Sequence, residues 1–369
     1  MADVDATADP RRWGEAFVER IWYGSDRVAS AIRTVLMPAE RVFGSLVGAR
    51  DILYDAGWLP ARPTAIPAVS IGNLTVGGTG KTPIAAWIAR GLMARGARPA
   101  IVLRGYGDDE PLVHETLNPT VPVVVGADRL VAIAEAKRRG ADIAVLDDAF
   151  QHRRAQRVAD LVLVSADRWT TEVRLLPAGP WREPLNAIRR ATLIVVTRKV
   201  ADAAMVDAVH ARLAEVAPGV PRVSVYLELG ELVWMGGAPA HAQPIAPLSA
   251  LSGTTVHAIL SIGDPHAFIK QLEAFGARVH AHVFPDHHAF TAADITRVTG
   301  ALDQHDWAVC TLKDAVKLAP HWPRPLAPPL WYVSQHVMVE RGVGGLERLL
   351  DDLVRARSGT PNALPKTAG

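Results

Sequence analysis

The chain has 369 residues, 49% of them hydrophobic, with 40 Lys and Arg against 38 Asp and Glu for a formal charge of +2. A chain so nearly balanced is not a polyanion binder as a whole, and its length allows a large core and calls for two domains. Cys310 is the single cysteine, which excludes an intramolecular disulfide, and its apolar setting in Trp307-Ala308-Val309-Cys310-Thr311 reads as buried strand.

The first residues lack a positive start followed by an apolar run, so no signal peptide is expected. From Trp13 to Trp58, apolar residues such as Phe17, Ile21, Val28, Val35, Val42, Leu46 and Ile52 alternate with Arg20, Arg27, Arg33, Arg41 and Arg50. No run reaches the roughly 20 apolar residues that span a bilayer. Pro38 is expected to kink the segment or divide it into two helices. Such arginine-bearing amphipathic helices suit a membrane interface or packing on their own domain equally well.

A short apolar run, Ala68 to Ile71, leads into Gly72-Asn73-Leu74-Thr75-Val76-Gly77-Gly78-Thr79-Gly80-Lys81-Thr82, and helical spacing resumes from Ile84. Strand, glycine loop and helix in this order make a P-loop. Backbone N–H groups of Gly77, Gly78, Thr79 and Gly80 would cradle phosphates, Lys81 would reach the β and γ phosphates, and Thr82 would hold Mg²⁺. The position that usually opens the pattern with glycine is Thr75 here.

A strand over 100–103 ends in Arg104-Gly105-Tyr106-Gly107-Asp108-Asp109-Glu110-Pro111, an acidic stretch that composition alone assigns to a solvated loop. A short strand over 121–125 and a helix over 129–139 follow. Ile143-Ala144-Val145-Leu146-Asp147-Asp148 reads as a Walker B strand, whose terminal acid orients the Mg²⁺ shell opposite Thr82. Strands are predicted at 161–164 and 193–197, separated by the turn-rich loop 175–184. Repeated strand and helix imply a mostly parallel sheet covered on both faces by helices.

A helix over 201–216 ends at Pro218-Gly219, a domain boundary signal. Beyond it, strands at 223–227, 256–261, 279–283 and 308–311 alternate with helices at 266–275 and 292–304, a smaller α/β unit. The tail from Ser358, rich in Pro, Gly and Thr, is expected to be disordered.

Taken together, the motifs resemble the tetraacyldisaccharide 4'-kinase (lipid A 4'-kinase) family. The resemblance rests on 72–83, Arg-Gly-Tyr-Gly at 104–107, Asp-Glu-Pro at 109–111, Asp-Asp-Ala-Phe-Gln-His at 147–152 and Leu-Leu-Pro-Ala-Gly-Pro-Trp-Arg-Glu-Pro at 175–184. Phe-Pro-Asp-His-His-Ala-Phe at 284–290 and Lys-Asp-Ala-Val-Lys at 313–317 continue it.

It implies ATP-dependent phosphorylation of the 4'-hydroxyl of an acylated glucosamine disaccharide 1-phosphate at the cytoplasmic face of the inner membrane. It also implies ATP and Mg²⁺ as cofactors, and a membrane role for the N-terminal helices. It makes Asp109 the catalytic acid-base residue, His287 its orienting partner, and Glu110, Asp147 and Asp148 the Mg²⁺ shell. Asp108 and His288 stand as neighbouring alternatives.

Arg104, Arg129, Arg153 and Arg182 are candidates for phosphates of ATP or substrate, because a guanidinium fork matches phosphate oxygens. The expected organisation is amphipathic helices over 1–60, a P-loop kinase core over 61–217, a smaller α/β domain over 218–355 and a tail over 356–369. Domain closure is expected to bring Asp109 to His287. No obligatory protein or nucleic acid partner is inferred. The rival reading is a P-loop nucleotide switch or partner-loading ATPase. The chain departs from the family pattern at Ala149-Phe150, at Leu312 and over 171–174, and Asp109 follows Gly107 without the usual insertion.

Overall fold

The structure, a computed structural model, describes residues 10–105, 107, 109–235 and 244–357. Tyr106, Asp108 and the tail from Ser358 therefore lie outside the described residues. The chain divides into a larger unit (17–106, 114–226, 337–369) and a smaller one (1–16, 107–113, 227–336). Residues 107–113 thus leave the chain of the larger unit to join the smaller, a finding that adjacency in sequence could not anticipate.

Helices α1 (Pro10–Tyr23) and α2 (Arg27–Asp55) open the chain. The break falls at 24–26 rather than at Pro38, which lies inside α2. Asp26 explains the position: its carboxylate accepts from the backbone N–H of Val28 and Ala29 and caps α2. Just past Pro38, Glu40 accepts from Leu175 N at 2.7 Å, and Gly44 lies so close that an added Cβ would be 2.9 Å from Leu175 Cδ1. This packing holds the helix across the backbone hydrogen bond that proline cannot make.

The larger unit continues with β1 (Ala68–Asn73), α3 (Lys81–Ala94), β2 (Pro99–Leu103), the part of α4 (Asp109–Leu117) from His114 onward, β3 (Val123–Val125), α5 (Arg129–Arg138) and β4 (Ile143–Asp147). Then come β5 (Ala159–Ser165), β6 (Leu193–Arg198), α6 (Ala203–Val216) and the first part of β7 (Arg222–Trp234). All pairings here are parallel, in the order β7-β6-β5-β1-β4-β2-β3. Near-continuous burial of these strands follows from helices on both faces. Ala68, Val102 and Leu146 pack on Ile133 and Ala136 of α5, and Ile194 and Val196 pack on Val206 and Val209 of α6. On the opposite face lie α3 and α10 (Val343–Arg357), whose Leu350 meets Gly91. Each fully buried aliphatic side chain contributes about 1.5–3 kcal/mol relative to exposure.

The smaller unit holds the rest of β7, then β8 (Ile245–Ala246), β9 (Thr255–Leu260), α7 (Pro265–Ala274), β10 (Arg278–Val283), α8 (Ala292–Gly300), β11 (Trp307–Thr311), α9 (Leu312–Leu318) and most of β12 (Leu330–Arg341). Strands β10, β9, β11 and β12 pair in parallel in that order, and β8 pairs antiparallel with β7. Val256, Ala258 and Leu260 pack on α7, while Ile259 and the buried Cys310 pack with Ile295 and Val298 of α8 and Ala315 and Leu318 of α9.

Candidate active site

In the larger unit the loop after β1 is shaped by two glycines at positive φ, Gly77 at 110° and Gly80 at 88°. Gly80 is also the N-cap of α3 and offers no capping side chain, so the first-turn N–H groups of α3 are left for an anion. Asn73 Nδ2 donates to Thr79 Oγ at 3.0 Å, and Thr197 Oγ donates to Thr79 O at 2.9 Å. Thr75, where glycine was expected, forms a β-bridge with Trp181. Backbone bonds from Val76 N to Pro180 O and from Arg182 N to Leu74 O complete that wall. The loop 175–184 therefore braces the P-loop, which explains why no extra glycine flexibility is needed at Thr75.

Lys81 Nζ donates to Asn73 Oδ1 at 3.3 Å and lies 3.7 Å from Asp148 Oδ1, and Thr82 occupies the first turn of α3. Asp148 stands at φ 51° and receives Arg182 Nη1 on both oxygens, at 3.2 and 3.1 Å. Burial pushes the Asp148 pKa up, but the Lys81 and Arg182 charges outweigh it and hold the carboxyl below its usual range. Asp147 ends β4 at 5% exposure; its Oδ2 is 2.9 Å from His114 Nε2 and its Oδ1 has no hydrogen-bond partner.

The four arginines separate. Arg182 sits on Asp148, and Arg129 is buried, donating to Gly126 O at 2.6 Å. Arg104 is exposed just past the end of β2. Arg153 is engaged by Asp51 at 3.3 Å and Asp55 at 2.6 Å and covers the Tyr54 ring, which commits it to bracing α2. A further arginine beside the loop, Arg168, has its Nε 3.7 Å from where a Cβ on Gly77 would stand, and is engaged by Glu19 at 2.6 Å and the Tyr23 ring. It had no motif to mark it.

In the smaller unit Asp109 and Glu110 form the first turn of α4, so the acidic stretch is not a solvated loop there: Asp109 is 3% exposed. His287 Nδ1 is 3.0 Å from Asp109 Oδ1. Both belong to the same unit, so no domain closure is required to form this pair, contrary to the expectation from their separation in sequence. His287 has a φ of 58°, and its N–H donates to Ser261 O and Asp286 Oδ1. Gly107 permits the approach, because a Cβ there would lie 2.4 Å from Asp109 Oδ1 and 2.8 Å from His287 Nδ1.

Lys313 Nζ lies 3.0 Å from His287 Nε2 and 3.3 Å from Asp286 Oδ1, and both Lys313 and Lys317 stand 4.0 Å from Asp109 Oδ2. Lys317 is held by Ser261 Oγ and His288 O. Asp314, fully buried, accepts from Ser261 and Thr311, and burial raises its pKa. These lysines were visible in the sequence only as a motif without a task. His288 turns away from this cluster to Asp294 at 3.0 Å, within the capping box of α8, and stacks on Phe284. For Asp109, burial acts upward, but the His287 hydrogen bond and the two lysine charges prevail and lower its pKa. Asp109 Oδ2 is buried and has no hydrogen-bond partner.

A family model described as tetraacyldisaccharide-1-P 4'-kinase matches residues 32–110 and 107–355. A tetraacyldisaccharide 4'-kinase from Anaeromyxobacter dehalogenans (strain 2CP-1) is 37% identical over 342 residues, covering 86% of this chain and 89% of its own. One from Azoarcus sp. (strain BH72) is 35% identical over 348 residues, with 88% and 92% covered. Among solved structures, LpxK from Aquifex aeolicus in complex with ATP is similar at a TM-score of 0.66 and 27% identity, over 88% of this chain and 99% of that one. The chain belongs to the tetraacyldisaccharide-1-P 4'-kinase family.

Proposed function

We propose that the chain transfers the γ-phosphoryl group of ATP to the 4'-hydroxyl of a tetraacyl glucosamine disaccharide 1-phosphate. Family membership supplies the reaction, and the observation that carries it to residues is the open Oδ2 of buried Asp109 beside His287, Lys313 and Lys317. Asp109 takes the proton of the attacking hydroxyl, the oxygen bonds to the γ-phosphorus, and ADP leaves. His287 holds Asp109 in orientation through Oδ1. Lys81 and the N–H groups of 77–80 bind the triphosphate. Arg182, Arg129 and Arg104 are retained as candidates for phosphate contacts.

The residues fit Mg²⁺: Asp147 Oδ1 is a buried oxygen without a partner, at the strand end where ligands bind in open α/β sheets. Among the described residues no three His, Cys, Asp or Glu form a cage for a metal, which accords with an ion held largely by nucleotide phosphates and water. Within the larger unit Thr82 and Asp147, with Asp148 beside them, would hold it, and Glu110 is kept as a candidate on the family resemblance alone. Mg²⁺, when bound, neutralises charge on the β and γ phosphates.

The enzyme would meet its lipid at the inner-membrane surface through α2. Among the described residues no helix is long and apolar enough to cross a membrane. Yet Val28, Val35, Val42 and Leu46 of α2 are exposed, on a spacing that aligns all four along one face.

The test is transfer of labelled γ-phosphate to the disaccharide 1-phosphate in detergent, with Asp109→Ala alongside. Labelled lipid from the wild type alone supports the reading. ATP hydrolysis without labelled lipid would instead favour a nucleotide switch.

A further inference from the structure

His114 has no place in the reading above, yet it is 0% exposed and makes one polar contact, Nε2 to Asp147 Oδ2 at 2.9 Å. Facing a carboxylate, Nε2 carries the proton and donates. The other oxygen, Oδ1, has no partner although Asp147 is 5% exposed. Buried carboxylate oxygens are seldom left so. One half of the carboxylate is therefore tied down and the other held open. The register places Asp147 opposite Ile71, at the end of the strand that feeds the glycine loop.

We infer that His114 is a positioning residue for the cation: by holding Oδ2 of Asp147 it fixes the plane of the carboxylate and presents Oδ1 to the metal that accompanies the nucleotide. This rests on the Mg²⁺ reading proposed above. Hydrogen-bonded partners of metal-binding carboxylates typically change metal affinity about 10–100-fold when removed. A purely structural role, tying α4 to β4, would leave that affinity alone. The end of α4 has a second tie in Asn118 Nδ2, which donates to Ala86 O at 3.1 Å, so α4 is not held by His114 alone.

The experiment is a titration of the full chain with Mn²⁺, followed by electron paramagnetic resonance, in the presence of a saturating non-hydrolysable ATP analogue. Nucleotide affinity without metal is measured beside it. His114→Leu fills the space but cannot donate, and is expected to weaken Mn²⁺ binding at least about tenfold with metal-free nucleotide affinity unchanged. His114→Gln places an amide N–H where Nε2 was and should stay within about threefold of the wild type. Should His114→Leu fail to fold, His114→Asn, whose amide is too short to reach Oδ2, carries the same expectation. Wild-type Mn²⁺ affinity in His114→Leu or His114→Asn overturns the inference alone, as does equal weakening in His114→Gln. A wild type that binds no Mn²⁺ with nucleotide overturns the cation reading and this inference with it.

Discussion

Lys313 Nζ stands 3.0 Å from His287 Nε2, and this contact decides how the imidazole serves Asp109. Lysine can only donate, so in the neutral ring Nε2 accepts and Nδ1–H is directed to Asp109 Oδ1. On the function proposed above, Oδ2 is then the oxygen left for the sugar hydroxyl. Asp109→Asn is expected to lower the transfer rate about 10²–10⁴-fold, the usual contribution of a general base. His287→Asn should cost less. Combined, the two should lose less than the product of the single losses, since His287 acts through Asp109. Single-turnover rates would show it, and strictly multiplicative losses would refute the partnership.

Gly107 offers a test from the backbone side. A methyl group there would collide with Asp109 Oδ1 and His287 Nδ1, so Gly107→Ala should separate the pair while leaving the P-loop untouched. The expected result is a transfer rate reduced to that of His287→Asn, with ATP affinity unchanged. Full activity in Gly107→Ala would show that the pair tolerates displacement.

Gly72 in β1 is held close to Phe150. An added Cβ would lie 2.5 Å from Phe150 Cβ and 2.8 Å from its backbone N. Gly72→Ala should destabilise by about 1–3 kcal/mol through overpacking, read as a lower melting temperature. The clashing atoms are common to every non-glycine residue, so Phe150→Leu should not rescue it. Rescue would place the conflict in the aromatic ring instead.

The His287 pair also predicts a pH dependence of stability. The hydrogen bond to Asp109 raises the His287 pKa, against the opposing effects of burial and Lys313. A raised folded-state value means stabilisation that is fully present below the unfolded value of about 6.5 and disappears as pH rises through the folded value. The melting difference between wild type and His287→Asn should therefore be largest near pH 6 and shrink on the alkaline side. A difference that grew with pH would reverse the sign and exclude the assignment.

At the N-terminal end, Val35→Asp with Val42→Asp should weaken binding to anionic lipid vesicles at least about tenfold, given the free energy of burying two such side chains. Activity on detergent-dispersed substrate should survive. Unchanged vesicle binding would remove α2 from the membrane contact.

Much of this architecture was legible because it depends on local rules. Gly77 and Gly80 had to be glycines for the loop to turn, and their spacing to Lys81 announced the nucleotide strand and helix. Strands β1 to β6 read as apolar runs because helices bury both their faces. Pro38 misled because its effect on a helix is settled by packing at Glu40 and Gly44, residues whose partners lie far along the chain. Strand β12 went unread because it mixes Ser334, Gln335, His336 and Glu340 into its apolar pattern. Asp109 and His287 were named by resemblance, whereas the roles of Lys313, Lys317 and His114 depend on distances that no spacing encodes.

The excursion of residues 107–113 into the smaller unit bears on how the gene can be cut. A fragment ending near residue 226 would retain the glycine loop, the Walker B strand and the codon for Asp109 itself. It would lack His287, Lys313 and Lys317, the side chains that bond to or charge that aspartate among the described residues. On the function proposed above, such a fragment would carry the base without its chemistry and would end inside β7, so the protein cannot be shortened to a minimal kinase at the boundary between its units, and complementation from two separately expressed halves would have to rebuild the base as well as the fold.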